Sequence, residues 1–249
     1  MNISNLTETE WNLRVDLAAA FHLAVANNLH EAIANHFSAV FPDGQHFLVN
    51  PFGLHFSEIT ASNLIVCDFD GKVVRGVGEP SASAHHIHAP IHRLVPRARV
   101  LLHTHQPYAT ALTMVAGGRL EWALHTTCRF YGRVAYDNDY DGVALSDTVG
   151  ERMAKILGDA DVLFLGNHGV ITAAPTVDQA FDDLYFVERA AQTQILAMST
   201  GQPLARLSSE LIEQVAAQTR YERFELGYIE RHFAAQKRLL DASGGLYRS

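Results

Sequence analysis

Two of the chain's 14 histidines, His103 and His105, stand one residue apart at the end of an apolar run. The run from Ala98 to Leu102, interrupted only by Arg99, reads as a β-strand. Side chains on a strand alternate faces, so positions i and i+2 point the same way. The two imidazoles therefore aim at one point, while Thr104 turns to the opposite face. Imidazole is a common ligand for zinc, iron and similar ions, and a pair on a rigid strand is one way to hold such an ion. In a chain this rich in histidine the same spacing also arises by chance, so the pair needs company.

A second signal is Asn167-His168-Gly169. It falls between the buried run Val162–Leu165 and the run Val170–Thr172, and reads as a strand interrupted and then resumed. Glycine after the histidine lets the backbone bend and approach a ligand. Together with the first pair this gives three neutral nitrogen donors from two strands. Such a set leaves positions open for substrate or water, as a catalytic metal site requires. Between Ala84 and Val95 lie four more histidines, His85, His86, His88 and His92. His88 and His92 share a helix face; the others face solvent or support ligands as readily as they bind a metal.

The elements that must position these residues alternate between strand and helix. Thr7 with Glu10 reads as a capping box opening a helix over 7–28. Strands follow at 35–41 and 46–50, then one helical turn over 57–62 and a strand at 64–69. Asp70-Gly71 is a strong hairpin signal into Lys72–Val74. A helix over 84–95 delivers the strand that carries His103. Helices are expected over 107–115 and 146–157, and a helical region over 176–241 with a break at Gly227. The reading is one α/β domain, 1–249, with helices packed around a central sheet.

The 249 residues, 48% of them hydrophobic, are enough for a sizeable core. The net charge of −8 is spread without runs, and no basic stripe argues for nucleic acid. Cys67 and Cys128 are the only cysteines, which excludes a disulfide scaffold. The stretch Met1–Glu10 is polar and shows no secretory leader, and no apolar run is long enough to span a bilayer. A cytoplasmic protein with no membrane partner is expected.

Taken in order, Asn50-Pro51-Phe52-Gly53-Leu54, Glu58-Ile59-Thr60, His88, His103-Thr104-His105 and Asn167-His168-Gly169 resemble the class II aldolase/adducin family over nearly the whole chain. The resemblance implies an α/β/α sandwich with a mixed, largely antiparallel sheet. It implies a homotetramer with active sites between subunits, acting on a small-molecule substrate. It maps the family's metal ligands onto His103, His105 and His168, and implies a divalent metal, zinc first, with manganese or iron as alternatives. Substrate contacts map onto Asn35, Ser38, Asn50, Gly53, Ser81 and Ser83.

Departures from the family pattern carry as much weight. The sugar-phosphate aldolases place an acidic residue where this chain has Ala84, with Ser83 and His85 beside it. Their phosphate-holding Gly-Asn and Ser-Ser pairs read here as Ala34-Asn35 and Ser81-Ala82-Ser83, which favours a substrate without phosphate. An assisting tyrosine of some aldolases matches Thr126. His85, His88 and His125 are the candidates to carry protons in place of the missing acid. The leading expectation is a metal-dependent carbon–carbon lyase acting on a small oxo- or hydroxy-acid or aldehyde. A decarboxylase of a hydroxylated or aromatic acid is the alternative that suits Ala84, because that step needs no base on a hydroxyl. An Fe(II) oxygenase and a non-enzymatic adducin-like assembly module are further alternatives; loss of the metal histidines would mark the last, and all are present.

Overall fold

The computed structural model describes residues 6–249; residues 1–5 of the polar N-terminal stretch lie outside the described residues. Thr7 caps helix α1 (Glu8–Ala26), its side chain accepting from the Glu10 amide. Among the described residues the reciprocal half of the expected capping box is not formed. Glu10 turns instead to the guanidinium of Arg14, at 3.2 Å, and to Arg75. Arg14 is fully buried, and a buried cation without a carboxylate costs more than one missing cap bond.

Eight strands form the sheet: β1 (His36–Val40), β2 (His46–Val49), β3 (Ile65–Asp68), β4 (Val73–Arg75), β5 (Val100–Thr104), β6 (Val134–Asp137), β7 (Val162–Leu165) and β8 (Gly169–Ala174). Their spatial order is β4-β3-β2-β1-β5-β8-β7-β6. Every neighbouring pair is antiparallel except β6–β7. This is the mixed, largely antiparallel sheet expected of the sequence.

Helices α2 (Ala82–Leu94), α3 (Pro107–Thr113), α4 (His125–Cys128), α5 (Asp147–Leu157), α6 (Val177–Met198), α7 (Ser209–Phe224) and α8 (Tyr228–Ala242) complete the fold. Alternation along β5 divides the core in two. Val100 and Leu102 join one cluster with Phe21 of α1 and Phe181 of α6. Leu101 joins a second with Ile87 and Ile91 of α2 and Met153 and Leu157 of α5. The sheet thus lies between two helical layers, and His103, in phase with Leu101, faces the α2 side.

Two local readings need correction. The segment before His168 does not resume one strand: Leu165 pairs with Gly169 across a tight antiparallel reversal, so β7 and β8 are a hairpin with His168 in its turn. Asn167 takes the left-handed conformation that closes it (φ 55°), which asparagine tolerates better than most residues. The helical turn expected over 57–62 is shorter, a single 3₁₀ turn at Phe56–Glu58. The expected break at Gly227 separates α7 from α8 (φ 64°).

A buried ionic cluster joins α6 to the helices that follow it. Asp182 accepts from Arg129 at 2.5 Å and from His232 at 2.9 Å. Asp183 accepts from Arg133 at 2.6 Å and from Arg223 at 2.8 Å. Burial alone would raise the Asp183 pKa, but Arg133 and Arg223 outweigh it and hold the carboxyl below its ordinary value. No helix among the described residues is long and apolar enough to cross a membrane.

Candidate metal centre

His103 is the penultimate residue of β5, paired with His36 of β1 on one side and Ile171 of β8 on the other. His105 lies just past the strand, and His168 comes over from the β7–β8 turn. Their ligand nitrogens all fall within 4.8 Å of one another. Ring centroids are 5.0 Å apart for His103 and His105, 4.8 Å for His103 and His168, and 4.9 Å for His105 and His168. Gly169 permits this approach. A Cβ there would collide with the Thr104 carbonyl oxygen and come within 2.9 Å of His105 Cδ2. Gly169→Ala is therefore expected to push the turn off β5 and cost about 1–3 kcal/mol, read as a lower Tm together with weakened metal binding.

The outer nitrogens fix the inner ones. His103 Nδ1 donates to the Val170 carbonyl at 3.0 Å, and His105 Nδ1 donates to the Glu31 carboxylate at 2.6 Å. With those Nδ1 protons committed, the Nε2 atoms are the ones turned inward, and they face each other at 3.2 Å. A tetrahedral zinc with ligands at about 2.0–2.1 Å needs its nitrogens roughly 3.3 Å apart. Burial, then neighbouring histidines, holds His103 well below the usual imidazole range. Burial and His105 push His168 down to about 4. His103 and His168 are thus neutral at pH 7, as ligation requires, and the residues fit a divalent ion.

Glu31 is a residue that sequence reasoning missed. It sits in the loop between α1 and β1, and only the bond its carboxylate accepts from His105 Nδ1 reveals that it orients that ring. Such outer partners commonly change metal affinity by about 10–100-fold. Glu31→Gln is expected to weaken metal binding by roughly that factor, measured by competition with a chelating indicator. His36 was missed as well; its ring lies 4.8 Å from that of His103. So was Tyr140, whose ring is 6.0 Å from His168.

The remaining predicted residues are dispersed. His88 is buried behind the cluster, its Nε2 2.9 Å from His36 Nδ1. Ser38 contacts His88 Nδ1 at 2.5 Å and His92 Nε2 at 2.8 Å. Ser83 reaches His36 Nε2 at 3.5 Å and Ser81 at 3.3 Å, while Ser81 also caps α2. Asn50 accepts from the Phe37 amide, and Asn35 accepts from the Glu31 amide, leaving its own buried amide nitrogen without a partner. Gly53 turns the chain after Asn50 (φ 93°).

His85 and His125 are not brought to the cluster. His85 stacks against Gly71 and stands with His86 and Asp147 on the far side of α2. His125 lines a separate pocket of about 200 Å³ with Arg129, Phe186 and Tyr228. Ala84 is buried in one apolar cluster with Val49, Ile65 and Cys67. The larger groove between α1 and α8, about 740 Å³, is lined by none of these histidines.

Comparison with known proteins agrees with this geometry. The family described as Class II Aldolase and Adducin N-terminal domain matches residues 15–195. An adducin-related protein of Schizosaccharomyces pombe is 34% identical over 262 residues, covering 99% of this chain and 79% of its own. The decarboxylase NovR of Streptomyces niveus is 31% identical over 158 residues, covering 63% of this chain and 58% of its own. Among solved structures, an aldolase II superfamily protein from Pseudomonas syringae superposes with a TM-score of 0.92 at 37% identity, covering 99% of this chain and 98% of that one. The chain belongs to the class II aldolase and adducin family.

Proposed function

We propose that the protein is a divalent-metal-dependent carbon–carbon lyase of aldolase type, acting on a small, non-phosphorylated oxo- or hydroxy-acid or aldehyde. The observation that carries this reading is the convergence of His103, His105 and His168, with the Nε2 atoms of the first two 3.2 Å apart. A divalent cation held there, with zinc our assignment, supplies a Lewis acid for a substrate oxygen and so stabilises the electron pair left when the carbon–carbon bond breaks. The protein's own groups set the rest. His103 and His105 are locked by Val170 and Glu31, so the ligand nitrogens do not rotate away. Glu31 also keeps its side chain largely exposed; among the described residues it is the carboxylate bonded to the cluster, and it is the candidate to accept a hydroxyl proton. Ser83, 3.5 Å from His36 and 3.3 Å from Ser81, offers a hydroxyl in place of a phosphate cradle.

Decarboxylation on the same site is the second reading, favoured by Ala84. The alanine itself supplies no base, and loss of carbon dioxide from a carboxylate leaves the electron pair on carbon without any proton being removed first. NovR lends this support as a relative named a decarboxylase. We further propose a cytoplasmic homotetramer of one domain per chain, with sites completed between subunits; light scattering that returns a monomer would count against this.

The reactions are separated by their products. Metal-loaded protein is offered a panel of hydroxy- and oxo-acids, and released aldehyde and carbon dioxide are measured together. Aldehyde without carbon dioxide supports the lyase, and carbon dioxide alone supports the decarboxylase. A wild-type protein that binds no divalent metal sinks both and leaves the assembly-module reading.

A further inference from the structure

Behind the metal cluster, a line of buried polar side chains has only one consistent direction. His92 Nδ1 lies 2.6 Å from the Ala98 carbonyl, which only accepts, so this ring carries its proton on Nδ1 and leaves Nε2 bare. Ser38 Oγ sits 2.8 Å from that Nε2 and must donate to it. Its single hydrogen is then spent, so its 2.5 Å contact with His88 Nδ1 is a bond received. His88 therefore also carries its proton on Nδ1. Its bare Nε2, 2.9 Å from His36 Nδ1, accepts in turn. His36 is left with a proton on Nδ1 and a lone pair on Nε2.

The rings are neutral for a physical reason. All are buried, and no carboxylate is among their hydrogen-bond partners. Burial pushes His92 down to about 4. The end of the line faces the site. His36 is the cross-strand partner of His103, and its Nε2 has only the Ser83 hydroxyl at 3.5 Å, the outer limit of a hydrogen bond.

We propose that His36 is a specificity-determining residue whose Nε2 accepts a hydrogen bond from a substrate hydroxyl and excludes a phosphate at that position. A hydroxyl brings a proton to the waiting lone pair. A phosphate at neutral pH brings chiefly lone pairs and negative charge, and the fixed direction of the line denies it a donor. This rests on the reading of the cluster as a metal-dependent substrate site, and it narrows the substrate to one with a free hydroxyl beside the metal-bound group.

Two measurements test it. In ¹⁵N-labelled protein, two-bond ¹⁵N–¹H correlation spectra report which ring nitrogen carries each proton. His36, His88 and His92 are expected in the Nδ1-protonated form, and an Nε2-protonated His36 overturns the proposal. Ser38→Ala cuts the line, so a second tautomer should appear at His36; an unchanged His36 spectrum also overturns it. This arm needs no metal, so it stands or falls separately from the lyase reading, which fails if the wild type binds no metal. The second arm titrates metal-loaded protein with glycolate and with 2-phosphoglycolate, which differ in carrying a hydroxyl or a phosphate on one carbon. Wild type is expected to prefer glycolate by about tenfold, and His36→Asn, which supplies an amide donor, to lose or reverse that preference at unchanged metal content. Tighter phosphoglycolate binding by wild type, no glycolate binding, or an unchanged ratio in the variant would each overturn the assignment.

Discussion

The protein is expected to lose most of its stability as the pH is lowered from 6.5 to 4.5. His36 and His92 are fully buried and held at about 3 and about 4, in both cases chiefly by burial. An unfolded histidine titrates near pH 6.5. Above that pH neither state is protonated, and these residues make no pH-dependent contribution. Below it the unfolded chain takes up protons that the folded chain refuses, so falling pH favours unfolding. Each such group costs about 1.4 kcal/mol per pH unit until its folded pKa is reached. Two of them remove roughly 5 kcal/mol by pH 4.5, within the 5–15 kcal/mol that holds a typical domain together. His88 and His103, also lowered by burial, act in the same direction. Thermal melts at half-unit steps check this: the Tm should be flat from pH 8 to 7 and fall steeply below 6.5. A Tm unchanged between pH 7 and 5 would show that these rings are not buried and neutral.

Changing His103 and His105 together to alanine should abolish metal binding. Wild type is expected to carry about one divalent ion per subunit after purification, and the double variant close to none. Three neutral nitrogens are a minimal catalytic set, and the variant keeps only His168. The change also strips partners from the Val170 carbonyl and the Glu31 carboxylate. Glu31 is exposed and rehydrates, whereas Val170, which stays opposite Thr104 in the β5–β8 ladder, loses one side-chain hydrogen bond worth about 0.5–1.5 kcal/mol. A folded but less stable apoprotein is therefore expected, and circular dichroism separates that outcome from collapse. Elemental analysis supplies the readout. Full metal content in the double variant would place the ion elsewhere, at His85, His86 and Asp147 for instance, the other group of suitable geometry among the described residues.

Much of this architecture was legible in the sequence, for local reasons. The strand period put His103 and His105 on one face, and β5 ends at Thr104 with both nitrogens still converging. Asn167-His168-Gly169 reads as an interrupted strand, and the structure makes it the turn of a hairpin. The chain reverses there, and the glycine is needed for contact between β8 and the Thr104 carbonyl. What stayed hidden depends on strand pairing. His36 meets His103 only because β1 lies beside β5 in a particular register, and no spacing in the sequence encodes that neighbour. Glu31 is likewise a loop residue, made relevant by a contact across 74 positions. His85 was misplaced because adjacent residues on a helix diverge: Ala84 packs inward and His85 turns to Gly71, so proximity in sequence to the lost acid confers no proximity to the site.

The ionic cluster at Asp182 and Asp183 bears on where the chain can be cut. The family match ends at residue 195, before α7 and α8. Arg223 and His232, supplied by those two helices, bond Asp182 and Asp183, whose side chains are 0% and 2% exposed. A chain ended at the family boundary would keep both carboxylates, lose two of their partners and open a once-dry site to water. The recognisable family segment thus holds one arginine for each carboxylate, Arg129 and Arg133, while the further partner of each comes from the helices beyond it.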